Sequence, residues 1–183
     1  MIRVNRNAIP SPVILISNEL DLAQKRLEEF YDKPDSSRSQ KKFSKPFDPV
    51  IRKGFVKSLR LLFAEKCAYC ESKINLAISE SEYDHFRPKH SARGLDNEFS
   101  NEHYWWFTYE WGNLYYCCQV CNRYKSSWFP VTGKRSDRTS YNKTIQKERN
   151  LLVDPCNDNP EKHFIHLDNG EMDFLTPEGK TTI

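Results

Sequence analysis

The sequence contains no apolar run that approaches the roughly 20 residues needed to cross a bilayer. Its most apolar N-terminal stretch, 13–16, is shorter than a signal-peptide core and follows two prolines. Internal repeats at solenoid periods and long low-complexity tracts are also absent. With 183 residues, of which 38% are hydrophobic and 29% charged, the chain has a globular composition. We therefore expect a cytoplasmic protein that has no membrane partner.

The net charge of +3 is modest, but it is unevenly distributed along the chain. Residues 33–60 contain nine Lys or Arg against two Asp, and residues 120–149 contain eight against one Asp and one Glu. From residue 150 onward the sign reverses. Two basic blocks before an acidic tail are compatible with a phosphate-binding face and also with ordinary solvated surface. Charge alone therefore does not decide the function.

The pattern of the chain predicts three regions and an α+β fold. The first, 1–66, contains an amphipathic helix at 18–31 and a second helix that begins after Asp48 and Pro49. A basic, flexible linker at about 32–47 joins them. The second region, 67–130, contains the cysteine motifs. The third, 131–183, starts as a basic segment and ends as a small acidic β appendage, in which Asp168-Asn169-Gly170-Glu171 predicts a hairpin turn.

Four cysteines form two CxxC pairs, Cys67 with Cys70 and Cys118 with Cys121, and 47 residues separate the pairs. Each pair can supply two thiolates to a tetrahedral ion, so the spacing predicts a structural zinc site. Two disulfides are the alternative in an exported protein, and a redox pair would need only one CxxC. A closed site of four thiolates leaves no position for water, so we expect this zinc to hold the fold and to perform no chemistry.

The two remaining cysteines receive different interpretations. Cys117 could replace Cys118 as a zinc ligand, and we favour Cys118 because it repeats the two-residue gap. Cys156 is far from both pairs and is expected to be a free thiol that packs as a small apolar side chain.

Asp84-His85, Asn113-Leu114 and Asn122 follow one another between and after the cysteine pairs in an order that resembles the HNH endonucleases. Members of that family fold as a ββα-metal module, in which a two-stranded hairpin and a helix surround one divalent ion. The resemblance implies that His85 is the general base and that Asp84 and Asn122 bind Mg²⁺ or Mn²⁺. It also implies that Asn113 holds the hairpin and orients His85.

The chemistry of phosphodiester hydrolysis agrees with these roles. The anionic oxygens of the phosphate resist attack, so cleavage needs a deprotonated water and a cation on the scissile phosphate. An imidazole meets the first need and two hard oxygen ligands meet the second, with coordination positions left for phosphate and water. This chemistry agrees with a phosphodiester hydrolase, and the resemblance implies that its substrate is DNA.

Basic and aromatic residues surround the motif. We expect Arg87, Lys89, Arg123 and Lys125 to contact phosphates, which would position nucleic acid without reading its sequence. The aromatic block at 104–111 is expected to pack in the core and not to stack on bases. The histidines that match no ligand position, and receive no role, are His90, His103, His163 and His166.

A narrower resemblance covers roughly residues 59–170. The segments that carry it are Cys67-Ala-Tyr-Cys70-Glu71, His85-Phe86-Arg87-Pro88-Lys89, Tyr104-Trp105-Trp106 and Leu151-Leu152-Val153-Asp154-Pro155. They are similar to the HNH proteins of Septu-type anti-phage systems, some of them retron-linked. This similarity implies an ATPase partner of the SMC/ABC type and cleavage of invading nucleic acid. Family members commonly continue past the C-terminal β segment, so we expect a short or truncated variant, and the 32–47 linker matches no family motif.

Two other functions stay open at this stage. A zinc-knuckle module could bind nucleic acid or a protein partner without catalysis. A modification-dependent restriction enzyme would need a reader domain, for which the first 60 residues look too small and too helical. Double-stranded DNA, single-stranded DNA and RNA share their phosphate contacts, so all three are open as substrates.

Overall fold

The computed structural model describes residues 1–38, 43, 47–75, 82–138, 148–169 and 171–183. Linker residues 39–42 and 44–46, part of the second basic block at 139–147, and the hairpin residue Gly170 lie outside the described residues. The helices are α1 (Asn18–Tyr31), α2 (Pro49–Leu62), α3 (Gln119–Lys125) and α4 (Pro177–Thr182). The strands are β1 (Glu82–His85), β2 (Ser91–Arg93), β3 (Phe99–Asn101), β4 (Leu114–Cys117), β5 (Val131–Thr132), β6 (Arg149–Asn150), β7 (Phe164–His166) and β8 (Met172–Phe174).

Helices α1 and α2 confirm the two predicted N-terminal helices, and local capping explains where they begin. The Ser17 hydroxyl accepts a hydrogen bond from the Leu20 amide at 3.3 Å. The Asp48 carboxylate accepts from the amides of Val50 and Ile51 at 2.9 Å, and Pro49 occupies the first helical position of α2. Each helix buries one apolar stripe, Leu20, Ala23, Leu27 and Tyr31 in α1, and Ile51, Phe55, Leu59 and Leu62 in α2.

Strand β1 pairs antiparallel with β4, and α3 follows β4 after one residue. In the pair, His85 lies opposite Leu114 and Asp84 lies opposite Tyr115. The second antiparallel pair, β2 with β3, lies in the chain between β1 and β4. Two strands and a helix thus form a ββα unit whose strands are far apart in sequence.

The aromatic block packs into the core, as predicted. Tyr104, Trp105, Phe107 and Tyr109 are buried. The Tyr31 ring of α1 stacks on the Trp105 ring with their centroids 4.6 Å apart. The buried residues of α1, α2 and the ββα unit belong to one hydrophobic cluster, so the first two predicted regions share a single core.

The C-terminal segment confirms the predicted hairpin and adds a helix that the sequence did not indicate. Strands β7 and β8 pair antiparallel, with Phe164 opposite Phe174. Helix α4 follows, capped by the Thr176 hydroxyl, which accepts from the Gly179 amide at 3.1 Å. The helix is fixed to the chain after β6, because the Val153 amide donates to the Thr182 hydroxyl at 2.9 Å. No helix among the described residues is long and apolar enough to cross a membrane.

Candidate metal centre and active site

The four predicted cysteines come together although their two pairs are distant in sequence. Cys67 and Cys70 lie in the turn that follows α2, whereas Cys118 caps α3 and Cys121 lies in its first turn. A hydrogen bond from the Ala68 amide to the Tyr116 carbonyl at 2.8 Å joins the turn to β4. The four sulfur atoms all lie within 4.8 Å of one another.

This arrangement fits a tetrahedral zinc ion. Metal–sulfur bonds of about 2.3 Å place neighbouring thiolates about 3.8 Å apart in a tetrahedron. The sulfur atoms of Cys70 and Cys118 are separated by 3.8 Å. A hydrogen bond from the Cys121 thiol lowers the pKa of Cys67 to about 5, so at least one thiolate forms readily at neutral pH.

The structure also decides between the adjacent cysteines 117 and 118. Cys117 is fully buried in β4 and lies outside the cluster, while Cys118 is part of it. Cys156 lies outside the cluster as well, and burial raises the pKa of its thiol to about 11. The preference for Cys118 is therefore confirmed, and Cys156 has the position expected for a packed free thiol.

A polar cleft of about 360 Å³ lies between the end of β1, the segment after it and α3. Three of the four predicted catalytic residues, Asp84, His85 and Asn122, line it together. Lys89, His90 and Ser91 complete one of its sides. The fold thus collects a carboxylate, an imidazole and an amide that are up to 38 residues apart in the chain.

The ring of His85 is buried and held by one backbone group. Its Nε2 atom is 2.9 Å from the carbonyl oxygen of Thr108, which can only accept a hydrogen bond. Nε2 therefore carries the proton in the neutral ring, and Nδ1 carries the lone pair. Burial, followed by the charge of Lys89, holds the pKa of His85 well below its usual value. The residue is thus neutral near pH 7 and has a nitrogen that can accept a proton.

Asp84 is a buried carboxylate, 5% exposed, with two donors on one oxygen. Its Oδ2 accepts from the Tyr69 hydroxyl at 2.6 Å and lies 2.9 Å from the Lys125 ammonium. The other oxygen, Oδ1, could bind a cation. Asn122 lines the same cleft from α3 and can add an amide oxygen. A carboxylate and an amide are the oxygen donors that Mg²⁺ and Mn²⁺ accept.

Asn113 does not line the cleft, and it acts on the backbone around His85. Its Oδ1 accepts from the Arg87 amide at 2.7 Å, and its Nδ2 donates to the carbonyls of Arg87 and Phe107 at 3.0 and 3.2 Å. The first contact fixes the segment after His85, and the last fixes the residue before Thr108. This geometry suits the predicted role of Asn113 as a positioning residue.

The four residues predicted to contact phosphates lie in different surroundings. Lys89 lines the cleft, and burial lowers its pKa, although the charge of Asp84 opposes that shift. Arg123 is exposed on α3 and outside the lining of the cleft. Lys125 has a 10% exposed side chain, which contacts Asp84 and donates to the His85 carbonyl at 2.8 Å.

Arg87 points away from the cleft. Its Nε donates to the Glu148 carboxylate at 3.0 Å, and its guanidinium lies over the rings of Phe107 and Phe129. Of the four predicted contacts, the structure thus brings only Lys89 to the cleft. The motif marked Arg87 and Lys125 as basic neighbours, but their charges are already neutralised by buried carboxylates.

Sequence reasoning missed two residues near the site. His90 received no role, yet it lines the cleft, and its Nδ1 lies 3.1 Å from the Tyr31 hydroxyl of α1. Tyr69 lies between Cys67 and Cys70, and the CxxC spacing predicts a role for the two cysteines but none for the residues between them. The position of His90 directly after Lys89 was the one local signal that could have indicated it.

Comparison with known proteins finds Septu proteins. Over 177 residues, or 95% of its length, the chain is 33% identical to the Septu protein PtuB of Bacillus mycoides (strain KBAB4), and the match spans 57% of that protein. Over 128 residues, or 69% of the chain, it is 34% identical to the Septu protein PtuA of the same strain, and the match spans 18% of that protein. The chain thus corresponds to just over half of one relative and to less than a fifth of the other.

No family model matches the sequence, and no solved structure matches the fold. The match to PtuB covers nearly the whole chain, whereas the match to PtuA covers about two thirds of it.

Proposed function

We propose that this chain, a homologue of Septu proteins, is a divalent-metal-dependent nuclease of the HNH type that hydrolyses phosphodiester bonds of DNA. The observation that supports the proposal best is the meeting of Asp84, His85 and Asn122 in one cleft of a ββα unit. The family resemblance assigns catalytic roles to these same three residues.

The orientation of His85 suits general-base catalysis. Its Nε2 is held by the Thr108 carbonyl, so Nδ1 accepts a proton from the attacking water. The depressed pKa of His85 keeps the ring unprotonated and ready for that step. Asn113 holds the two backbone segments that fix the ring, which keeps the base in place while it takes a proton from the attacking water.

Asp84 and Asn122 would hold Mg²⁺ or Mn²⁺, which supplies positive charge to the scissile phosphate and to the leaving oxygen. Lys89 adds a fixed positive charge on the same side of the cleft and attracts the anionic backbone. Zinc at the four cysteines stays outside this chemistry, because all four of its coordination positions would be filled by protein.

The proposed biological role is anti-phage defence. Two different Septu proteins of one strain match this chain, which supports its action within a multi-protein Septu assembly. We propose that its partner is an ATPase of the SMC/ABC type, as the sequence resemblance implies, and that invading DNA is the target.

The test is nicking of supercoiled plasmid by the zinc-loaded chain with Mg²⁺ or Mn²⁺. His85→Ala should lower the rate by about 10²–10⁴-fold, because it removes the proton acceptor. The exposed His166 provides the matched control, and His166→Ala should cut at the wild-type rate. Omission of Mg²⁺ and Mn²⁺, with zinc kept bound, should abolish cutting.

Equal cutting by His85→Ala and wild type would refute the assignment of the base. Binding of DNA with no cutting under any of these conditions, even after addition of the ATPase partner, would favour a zinc-knuckle module that only binds.

A further inference from the structure

The side chain of Tyr69 connects the cysteine cluster to the proposed catalytic site. Tyr69 stands between Cys67 and Cys70, and its hydroxyl donates to the Oδ2 atom of Asp84 at 2.6 Å. This distance is typical of a hydroxyl bonded to a carboxylate, which is a strong class of hydrogen bond. The turn that supplies two zinc ligands thus also supplies a donor to the proposed ligand of the catalytic ion.

A second donor to Oδ2 of Asp84 comes from α3, the helix that carries Cys121 and begins after Cys118. Lys125 lies at the end of α3, and the helix begins beside Cys118. Its ammonium is 2.9 Å from Oδ2 of Asp84 and donates to the His85 carbonyl at 2.8 Å. Two donors on one oxygen fix the rotation of the carboxylate and leave Oδ1 for the ion.

Packing holds the phenol in this position. The ring of Tyr69 stacks on that of Tyr115, with centroids 6.1 Å apart and planes 19° apart. Tyr115 is the β4 residue directly opposite Asp84 in the strand pair. Its own hydroxyl donates to Asp154 at 2.5 Å, so the supporting ring is tied down at its far end as well.

We propose that Tyr69, together with Lys125, positions the Asp84 carboxylate for the catalytic divalent ion, so that the cysteine cluster controls the geometry of the catalytic site. The inference rests on the nuclease function proposed above. Tyr69 is a positioning residue, because it contacts the metal ligand and neither water nor phosphate. The zinc site then has two tasks, which are to hold the fold and to orient a catalytic ligand.

The physical expectation follows from the behaviour of residues that support metal ligands. Loss of such a partner commonly costs about 10–100-fold in metal affinity or activity. Tyr69→Phe removes only the hydroxyl and keeps the ring stacked on Tyr115. A residue that served packing alone would therefore tolerate this change without effect.

The experiment compares the wild type, Tyr69→Phe and the control Tyr124→Phe, all loaded with zinc. Tyr124 lies on α3 close to the same cysteines, but its side chain is 83% exposed. Binding of Mn²⁺ is measured by electron paramagnetic resonance, and plasmid nicking is measured as a function of Mn²⁺ concentration. Zinc content, the affinity for DNA without added Mn²⁺ and the melting temperature are recorded for each protein.

Tyr69→Phe should bind Mn²⁺ about 10–100-fold more weakly than wild type. Its nicking should recover in part at high Mn²⁺, with zinc content and DNA affinity unchanged. Tyr124→Phe should match the wild type throughout. If Tyr69→Phe loses zinc, Lys125→Arg is measured instead, because it keeps the charge and replaces the single ammonium donor at Oδ2 with a planar guanidinium of different geometry.

The outcomes separate the two proposals. Equal Mn²⁺ affinity in Tyr69→Phe and wild type overturns the positioning role and leaves the nuclease proposal intact. If Lys125→Arg is measured instead, an Mn²⁺ affinity equal to that of the wild type also overturns the positioning role. Absence of both Mn²⁺ binding and nicking in the wild type, with the ATPase partner present, overturns the nuclease proposal and this inference with it.

Discussion

The Glu148 side chain has no solvent exposure, and four donors surround it. Arg87 donates to one carboxylate oxygen, while the Tyr104 hydroxyl and the amide and hydroxyl of Ser136 donate to the other, at 2.5 to 3.0 Å. Because Arg87 lies two residues after β1, which carries Asp84 and His85, this network supports the backbone of the segment that follows the strand. Hydrogen bonds of this number offset the cost of burying a carboxylate.

Replacing this carboxylate should therefore be costly. Glu148→Gln leaves Arg87 as a buried charge without its counterion, and we expect it to lower the free energy of unfolding by about 3–5 kcal/mol. Urea denaturation followed by tryptophan fluorescence measures the change. The control is Asp32→Asn, because Asp32 forms an ion pair with Arg138 in which both side chains are over two-fifths exposed. That substitution should cost less than about 1 kcal/mol, and similar losses in the two variants would contradict the prediction.

The residues that the sequence identified are those with a fixed place in a motif. Asp84, His85 and Asn122 follow the order of the HNH pattern, and the structure gathers them in one cleft. Tyr69 and Glu148 have no such mark, because their importance comes from partners 15 and 61 residues away. Arg87 and Lys125 show the converse, since a charge beside a motif does not reveal whether a buried carboxylate already pairs with it.

Helix α3 owes its place to the cysteine cluster. The helix has only seven residues, too few to be stable alone, and none of them is buried. Cys118 and Cys121 in its first turn connect it to the turn after α2, and Lys125 in its last turn contacts Asp84. A bound zinc ion would therefore hold the element that carries Asn122.

Loss of one of the four thiolates should destabilise the packing of α3. Cys70→Ser is expected to lower the bound zinc well below one equivalent and to reduce the melting temperature, because zinc binding contributes directly to folding. Chelation of the wild-type protein should have the same effect. Cys156→Ser serves as the control, since Cys156 lies outside the cluster. Zinc content by atomic absorption and thermal melts by circular dichroism are the measurements, and an unchanged melt of the zinc-free protein would be inconsistent with this view.

Elements were predictable where their signals are local. The boundaries of α1 and α2 follow from Ser17 and from Asp48 with Pro49, whose capping bonds span two or three residues. The pairs β2 with β3 and β5 with β6 are too short to show alternation. Helix α4 was missed because six polar and small residues become helical only when docked, as the bond between Thr182 and Val153 shows.

At the scale of the whole molecule, the α+β class was predictable, but the arrangement of strands was not. The strands among the described residues form separate antiparallel pairs, and no larger sheet is found there. The strands of the ββα unit are separated by residues 86–113, which contain β2, β3 and the whole aromatic block. Pairing over such a distance depends on the shared core, which periodicity in the sequence cannot show.

The complete site should still be weakly active in the isolated chain, because an unrestrained nuclease would damage the DNA of its own cell. We expect slow nicking of supercoiled plasmid by the purified chain at physiological salt and at least a tenfold increase with the proposed ATPase partner. Gel assays with and without the partner measure this, and His85→Ala with the partner is the control. Rapid cutting by the chain alone would contradict the proposed restraint.

The residues of the cleft are far apart in the sequence, and this separation affects when the cleft can form during synthesis. Synthesis runs from the N-terminus, so Asp84 and His85 leave the ribosome well before Asn122 and Lys125. Until the second cysteine pair emerges, zinc cannot close the knuckle, and the carboxylate lacks the helix that orients it. Under the proposed function, the unfinished polypeptide therefore lacks a complete site, and the site can form only after the residues of α3 have been synthesised.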